Sequence, residues 1–472
     1  MMKAGNSITS LLKTAMADRR EILEPYELDY SDLISVSSSS LAEIKRLESV
    51  TVAVMEALGP TGPGLLTITG IPNVSEHRNY LLSRARDLSL LPHHYRNRIL
   101  KDHGLGSDVP LKNLDRCVSS FAMQLKYEHD LDSSNLSQES SKDIEKPISV
   151  DENIVSEGYE KSMDDHFKAL GCSFRELGLC MMDLGLRVAR ICDRAIGGKV
   201  LENSLLESGT AKGRLIHYHS SLDTFIIKES GRRKGSKKGQ QKSEPKSLHF
   251  KDEMKSCRID QMHRVGNSGR ACVKSCDLWQ QWHYDYGTFT VLTSPMFIRP
   301  RSFQMGKRED DCLLSGGLEC PSPSGNTYLQ IFHPNKKTIC TVKAPPDSFI
   351  LQVGESADIL SRQKVQATLH SVLRPIELEN LSRETFVVFL HPAWNKVFDI
   401  LDYPVEQVTS YDHFQKHVET PESDEELKKL TQDIDNIIPP LSTRLKNGMS
   451  FAEFSRETTK QYYGGNGLQS NK

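Results

Sequence analysis

Apolar residues step through positions 167–191 at intervals of three and four: Phe167, Leu170, Phe174, Leu177, Met181, Leu184, Val188 and Ile191. That period is one face of a long helix. Gly171, Gly178 and Gly185 recur beside this face. Each glycine costs a helix up to about 1 kcal/mol, so three in one row predict that another backbone packs closely there. Gly197-Gly198 ends the helix. The flanking positions lack the regular charges of a coiled coil, so a core helix is expected. An earlier helix is expected from a serine cap at Ser38–Ser40, with Leu41, Ile44, Leu47, Val54 and Leu58 facing inward and a stop at Gly59-Pro60.

Period two takes over elsewhere. Gly64–Pro72 reads as a short buried strand, and residues 283–391 read as strands and hairpins. Thr327–Phe332 and Thr338–Val342 flank a polar turn at 333–337 and predict a hairpin. Three stretches fit neither period. Residues 132–152 are rich in Ser, Asp, Glu and Lys and predict a mobile loop. Residues 228–276 form a lysine-rich insertion, and 300–326 an irregular one. The expected division is a mixed helical region with short strands at 1–200, a β core at 201–400 and a helical tail at 401–472. That tail opens on Glu422, Asp424, Glu425 and Glu426, followed by Lys428 and Lys429, a polarity suited to a helix dipole.

Charge narrows the class. With 60 basic and 62 acidic residues, net −2, no global field draws nucleic acid or an anionic membrane. No apolar run approaches the roughly 18 residues of a membrane span. The first thirty residues lack a secretory apolar region, and Asp18 and Glu21 weaken a transit peptide. A cytoplasmic protein is expected, with the basic segment 232–238 as a candidate nuclear signal; without interleaved aromatic residues, it reads first as a solvated loop. Ten scattered cysteines suit reduced thiols. Cys257, His263, Cys272 and Cys276 fit no common zinc spacing and are expected to be unmetallated.

The candidate chemistry lies in Trp282-His283-Tyr284-Asp285-Tyr286-Gly287-Thr288-Phe289-Thr290-Val291-Leu292. Aromatic and β-branched residues predict a strand, and residues two apart on a strand face the same way. His283 and Asp285 would present an imidazole and a carboxylate side by side. These are two parts of a 2-His-1-carboxylate face, a ligand set of non-haem Fe(II) sites with open positions. His370, in Ala367-Thr368-Leu369-His370-Ser371-Val372, is the candidate third ligand.

Downstream follow Ser348–Glu355, Leu360-Ser361 and Arg383-Glu384-Thr385-Phe386-Val387-Val388-Phe389-Leu390. This ordered set resembles the iron(II)/2-oxoglutarate-dependent dioxygenase superfamily, in its isopenicillin N synthase-like branch. The resemblance is strongest over 283–392 and extends to Gly64–Pro72, the long helix and Arg214–Tyr218. It implies a mainly β core with flanking helices (α+β), a distorted double-stranded β-helix or jelly roll with the long helix packed on its barrel. It implies His283, Asp285 and His370 as iron ligands, 2-oxoglutarate and O2 as cosubstrates, and Arg383 and Thr385 as the Arg-x-Ser pair, with Thr for Ser. A guanidinium can grip a carboxylate with two parallel bonds. Tyr218 matches a tyrosine that touches 2-oxoglutarate, although Ile216 and His219 depart from the Asn and Pro usual beside it. His217 and His219 are expected to be structural or substrate-facing.

The implied activity is that of an oxidoreductase. It hydroxylates or desaturates a small molecule and releases succinate and CO2, with no protein nucleophile. An O2-using oxidase that needs no 2-oxoglutarate, and a non-catalytic binding protein on the same scaffold, are the alternatives.

Overall fold

The computed structural model describes residues 21–34, 41–127, 154–235, 278–299, 318–336, 338–375, 378, 380–401, 403 and 437–463. The serine cap, the 132–152 loop, the cysteine–histidine cluster and the acidic tail lie outside them, as does most of both insertions.

The strands fall into two sheets. The smaller has the order β1-β12-β11-β14-β7, made of Glu21–Leu23, Thr338–Val342, Leu329–His333, His370–Leu373 and Leu278–His283. The larger runs β2-β3-β13-β8-β15-β6-β5-β4: Glu27–Asp29, Leu65–Thr69, Phe349–Val353, Phe289–Thr293, Ser382–Leu390, Thr210–Tyr218, Val118–Lys126 and Gly106–Ser107. The strands β9 (Met296–Arg299) and β10 (Leu318–Cys320) extend it beside β15. From β6 onward the chain passes repeatedly from one sheet to the other.

The expected barrel is not closed by hydrogen bonds among the described residues. The sheets meet through side chains instead. Ile331, Cys340, Val342 and Val372 of the small sheet pack against Leu65, Ile216, Leu292, Ile350 and Val387 of the large one. Facing sheets stand about 10 Å apart, twice the distance a ladder hydrogen bond spans.

Helices cover the other face of the large sheet. In chain order they are α1 (Tyr30–Ile34), α2 (Leu41–Leu58), α3 (Val74–Leu90), α4 (His93–Asp102), α5 (Ile154–Phe167) and α6 (Leu170–Ile196). The eight-residue apolar series is buried throughout. It divides between α5 and α6, because the chain breaks at Lys168-Ala169. Gly197, at φ 85°, ends α6 where expected. What fits against the glycine row is mainly side chains rather than backbone. A Cβ at Gly178 would lie 2.5 Å from Leu125 Cδ1, and one at Gly185 2.9 Å from Leu390 Cδ2. Leucines of β5 and β15 therefore slot into the notches; only Gly171 faces a backbone atom, the His103 carbonyl. On α2, Leu47, Val54 and Leu58 are buried as expected, whereas Ile44 points outward and is 42% exposed.

The hairpin at 327–342 forms as β11–β12. Two expected irregular stretches begin or end in regular structure. Helix α8 (Ser221–Gly235), which follows α7 (Val200–Ser208), runs into the lysine-rich segment, and β10 occupies the end of the second insertion. No helix among the described residues is long and apolar enough to cross a membrane.

The C-terminal unit packs on the core through an apolar cluster that includes Ile359, Phe398, Phe451 and Phe454, and through a buried ion pair. Short helices α9 (Glu355–Leu360) and α10 (Leu441–Arg444) are joined by Arg444, whose Nη1 and Nη2 donate to the Glu355 carboxylate at 2.8 and 2.6 Å. Arg444 also donates to Pro439 O and to Thr458 Oγ1 on α11 (Phe451–Tyr463). Arg444 is 1% exposed. Replacing it with Met strands a buried carboxylate, so Arg444→Met should cost about 3–5 kcal/mol, read as a lower denaturation midpoint.

Burial also raises the Asp358 carboxyl to about 7, although Tyr403 and the Ala367 amide donate to it. A carboxyl raised in the folded state binds its proton more tightly there than in the unfolded chain. Its contribution is full below about pH 4 and lost as pH rises toward 7. Asp358→Asn should flatten that part of a stability-against-pH curve, measured by denaturation at several pH values.

Candidate metal centre and its cavity

Pairing of β14 with β7 sets His370 directly opposite His283. Asp285 lies just past the end of β7, in a loop at 284–288 that the sequence reading takes as continuous strand. The pairing of His283 with Asp285 is right, but the strand ends at His283. The loop is held by the start of α9. The amides of Gly354, Glu355 and Ser356 donate to the carbonyls of Thr288, Asp285 and Gly287 at 2.8–2.9 Å. The Ser356 hydroxyl donates to Tyr286 O at 2.6 Å. A Cβ at Gly354 would meet Gly287 O at 2.3 Å, so only glycine permits this approach.

His283, Asp285 and His370 offer ligand atoms that all lie within 4.8 Å of one another. Each histidine Nε2 is 3.8 Å from an Asp285 oxygen, and the two ring centroids are 4.2 Å apart. Adjacent donors on one ion at bonds of roughly 2.1 Å stand about 3 Å apart, so the three groups surround one point and close by small side-chain movements to share an ion.

The donors are also in the right chemical state. His283 Nδ1 lies 2.7 Å from Gln281 O, and His370 Nδ1 3.0 Å from Thr368 O. A carbonyl can only accept, so each Nδ1 carries a proton, which leaves Nε2 as the nitrogen that can offer a lone pair to the shared point. Burial, then the neighbouring His370, pushes the His283 pKa down and keeps its ring neutral. The Thr290 hydroxyl donates to Asp285 Oδ2 at 2.6 Å, orienting the carboxylate. Two imidazoles and a carboxylate on one side suit a divalent transition metal with its other positions open.

The centre opens into a cavity of about 410 Å³ between the sheets. Arg383, Thr385 and Tyr218 line its inner end, where Arg383 of β15 and Tyr218 of β6 are register partners. Arg383 is 1% exposed. Its Nε donates to Thr327 O at 3.0 Å, its guanidinium lies 5.2 Å from the Tyr218 ring centroid, and its Nη2 has no hydrogen-bond partner among the described residues. Burial lowers the Arg383 pKa, with Tyr218 opposing. Thr385 Oγ1 sits 3.3 Å from Thr293 O and 3.4 Å from Thr293 Oγ1.

His217 and His219 do not line this cavity. They belong to the helix-facing side of the large sheet. His217 Nδ1 is 2.9 Å from both Glu384 oxygens, and His219 Nε2 is 2.9 Å from Ser119 Oγ. Their role is structural. The sequence reading misses Thr290, although it sits on the quoted strand, and also the cavity residues Asp108, Lys212, Arg214, Trp394 and Thr458. Alternation along β6 from Tyr218 could have singled out Lys212 and Arg214; the others come from distant segments with no local pattern.

No protein-family model matches the chain, and no curated protein sequence does. Similarity to solved structures is distant. The chain is 14% identical to a full-length Neurospora crassa protein solved in complex with alpha-KG, covering 88% of this chain and 96% of that one, with a TM-score of 0.43. It is 13% identical to the dioxygenase for auxin oxidation 1 from Arabidopsis thaliana, solved with 2-oxoglutarate, covering 79% and 94%, TM-score 0.40. It is 14% identical to the dioxygenase for auxin oxidation in rice, covering 78% and 84%, TM-score 0.39.

Second-sphere hydrogen bonds tune metal affinity by about 10- to 100-fold. Thr290→Val should therefore weaken Fe(II) binding by about tenfold or more, measured by anaerobic equilibrium dialysis. Gly354→Ala should weaken it further, since Asp285 moves with its loop.

Proposed function

We propose that this protein is an Fe(II)- and 2-oxoglutarate-dependent dioxygenase that hydroxylates or desaturates a small organic molecule. One observation carries the reading: a buried guanidinium with an unpartnered Nη2 shares a cavity with two imidazoles and a carboxylate poised for one metal. A buried cation without a salt bridge, as Arg383 is among the described residues, is costly. A carboxylate ligand at that end of the cavity would remove the cost. 2-Oxoglutarate, with an acid at one end and a chelating keto acid at the other, suits both features.

In this reading His283, Asp285 and His370 hold iron(II). Arg383 grips the distal carboxylate of the cosubstrate, Thr385 adds a hydroxyl and Tyr218 flanks it. Bound iron would supply activation of O2, the chemistry that side chains lack. The protein's own part is to hold both imidazoles by their Nδ1 hydrogen bonds, orient Asp285 through Thr290, fix the cosubstrate on Arg383 and shield the reaction from water. Overall, substrate, O2 and 2-oxoglutarate give oxidised product, succinate and CO2. The order of the motifs supports the isopenicillin N synthase-like branch, and the alternation of the chain between two sheets supports a jelly roll. An oxidase without 2-oxoglutarate would leave Arg383 with no occupant.

Protein supplied with Fe(II), O2 and labelled 2-oxoglutarate should release labelled CO2 and succinate. His283→Ala and Asp285→Ala should abolish both. Arg383→Met should keep Fe(II) binding and lose 2-oxoglutarate affinity by about 10²-fold, the scale of a bidentate charged pair worth about 3 kcal/mol. Unaltered affinity in that variant would refute the role given to Arg383.

A further inference from the structure

The cavity has a second cationic end. Lys212 and Arg214 precede Tyr218 on the same face of β6, opposite Phe389 and Val387 of β15. Both turn to one carboxylate, Asp108, at 2.8 and 2.6 Å. The Arg214 guanidinium lies over the Phe389 ring, 4.7 Å from its centroid. Beside them are Tyr286, Trp394 and His391, whose pKa burial lowers so that its ring is neutral. Among the described residues, two cations therefore share one anion at this end.

If the Proposed function holds, the inner end is balanced: iron(II), Asp285 and Arg383 together offset the two charges of 2-oxoglutarate. The outer end is left with one positive charge. Phe389 is six residues along β15 from Arg383, about 20 Å at strand rise, so a five-carbon diacid held by Arg383 does not reach Lys212. The charge awaits a different molecule.

We infer that the oxidised substrate is a monoanionic organic acid, its carboxylate held by Arg214 and Lys212 and its apolar, ring-sized body lying against Phe389, Tyr286 and Trp394. The cations confer selectivity by charge, and the aromatic wall supplies contact area. Arg214 stacked on Phe389 is already held in place, so little side-chain freedom remains to be lost on binding.

The test compares benzoate, 2-naphthoate and 4-phenylbutyrate with their primary amides, by equilibrium dialysis against anaerobic protein with Fe(II), with and without labelled 2-oxoglutarate. At least one acid should bind about tenfold or more tightly than its amide, a charge-assisted bond's worth of discrimination. The double variant Lys212→Gln/Arg214→Gln should erase that preference. Asp108→Asn, which frees positive charge, should increase it, an outcome opposite to that of mere structural damage. Acids binding no better than amides throughout the panel would overturn the inference, as would a double variant that keeps the acid preference. Failure of wild-type protein to bind 2-oxoglutarate would instead refute the Proposed function, and the acid–amide comparison without 2-oxoglutarate would still decide the second end.

Discussion

The β7–β14 pairing is the constraint on which the centre depends. It sets His370 across from His283, and a slip of one residue would send one imidazole to the opposite face of its sheet. The pairing is reinforced on the β14 side, where β14 is also bonded to β11, while β7 ends the sheet among the described residues. Asp285 has no such ladder. Its position comes from a loop whose carbonyls are taken by amides at the start of α9, and that helix is in turn fixed to the C-terminal unit by Glu355 and Arg444. The third donor is thus supported by a chain of contacts that ends more than 150 residues away in sequence.

The strands β6 and β15 serve two environments at once. One face presents Arg383, Thr385, Tyr218, Arg214 and Lys212 to the cavity. The other carries His217 and Glu384 into a closed network with Asp223, itself held by Arg86 and by Ser220. The network pairs its charges, as buried charges require. The cavity face leaves Arg383 Nη2 unmet. Within one pair of strands, ion-paired groups thus lie on the helix side and an unpaired guanidinium faces the cavity, as far as the described residues go.

The helices contribute rigidity by close fit. Leu125 and Leu390 enter the spaces left by Gly178 and Gly185, while Phe174 meets Phe386 edge-on at 4.7 Å. Because Phe386 and Leu390 lie on the strand that carries Arg383 and Thr385, α6 helps to hold the inner end of the cavity in place. Strands β3 and β5, from the first third of the chain, complete the same sheet.

Much of this was legible in order along the chain, wherever a local period carried it. The apolar series of α6 and the β11–β12 hairpin each depend on a local repeat, whereas His283 and Asp285 stand side by side although the strand ends between them. Arg383 and Thr385 were legible for the same reason, two residues apart on an apolar strand. What no local period encodes is the end of β7 at His283, the break between α5 and α6, the open gap between the sheets and the neighbours of the glycine row. Nor does any encode the meeting of Asp108 with Lys212 and Arg214, or of Arg444 with Glu355. Those follow from packing between distant segments, where side-chain volume, desolvation and charge pairing are resolved together. Local patterns along the chain mark the groups able to bind a metal and an acid; that these groups share one cavity follows from folding, because only folding brings distant donors together.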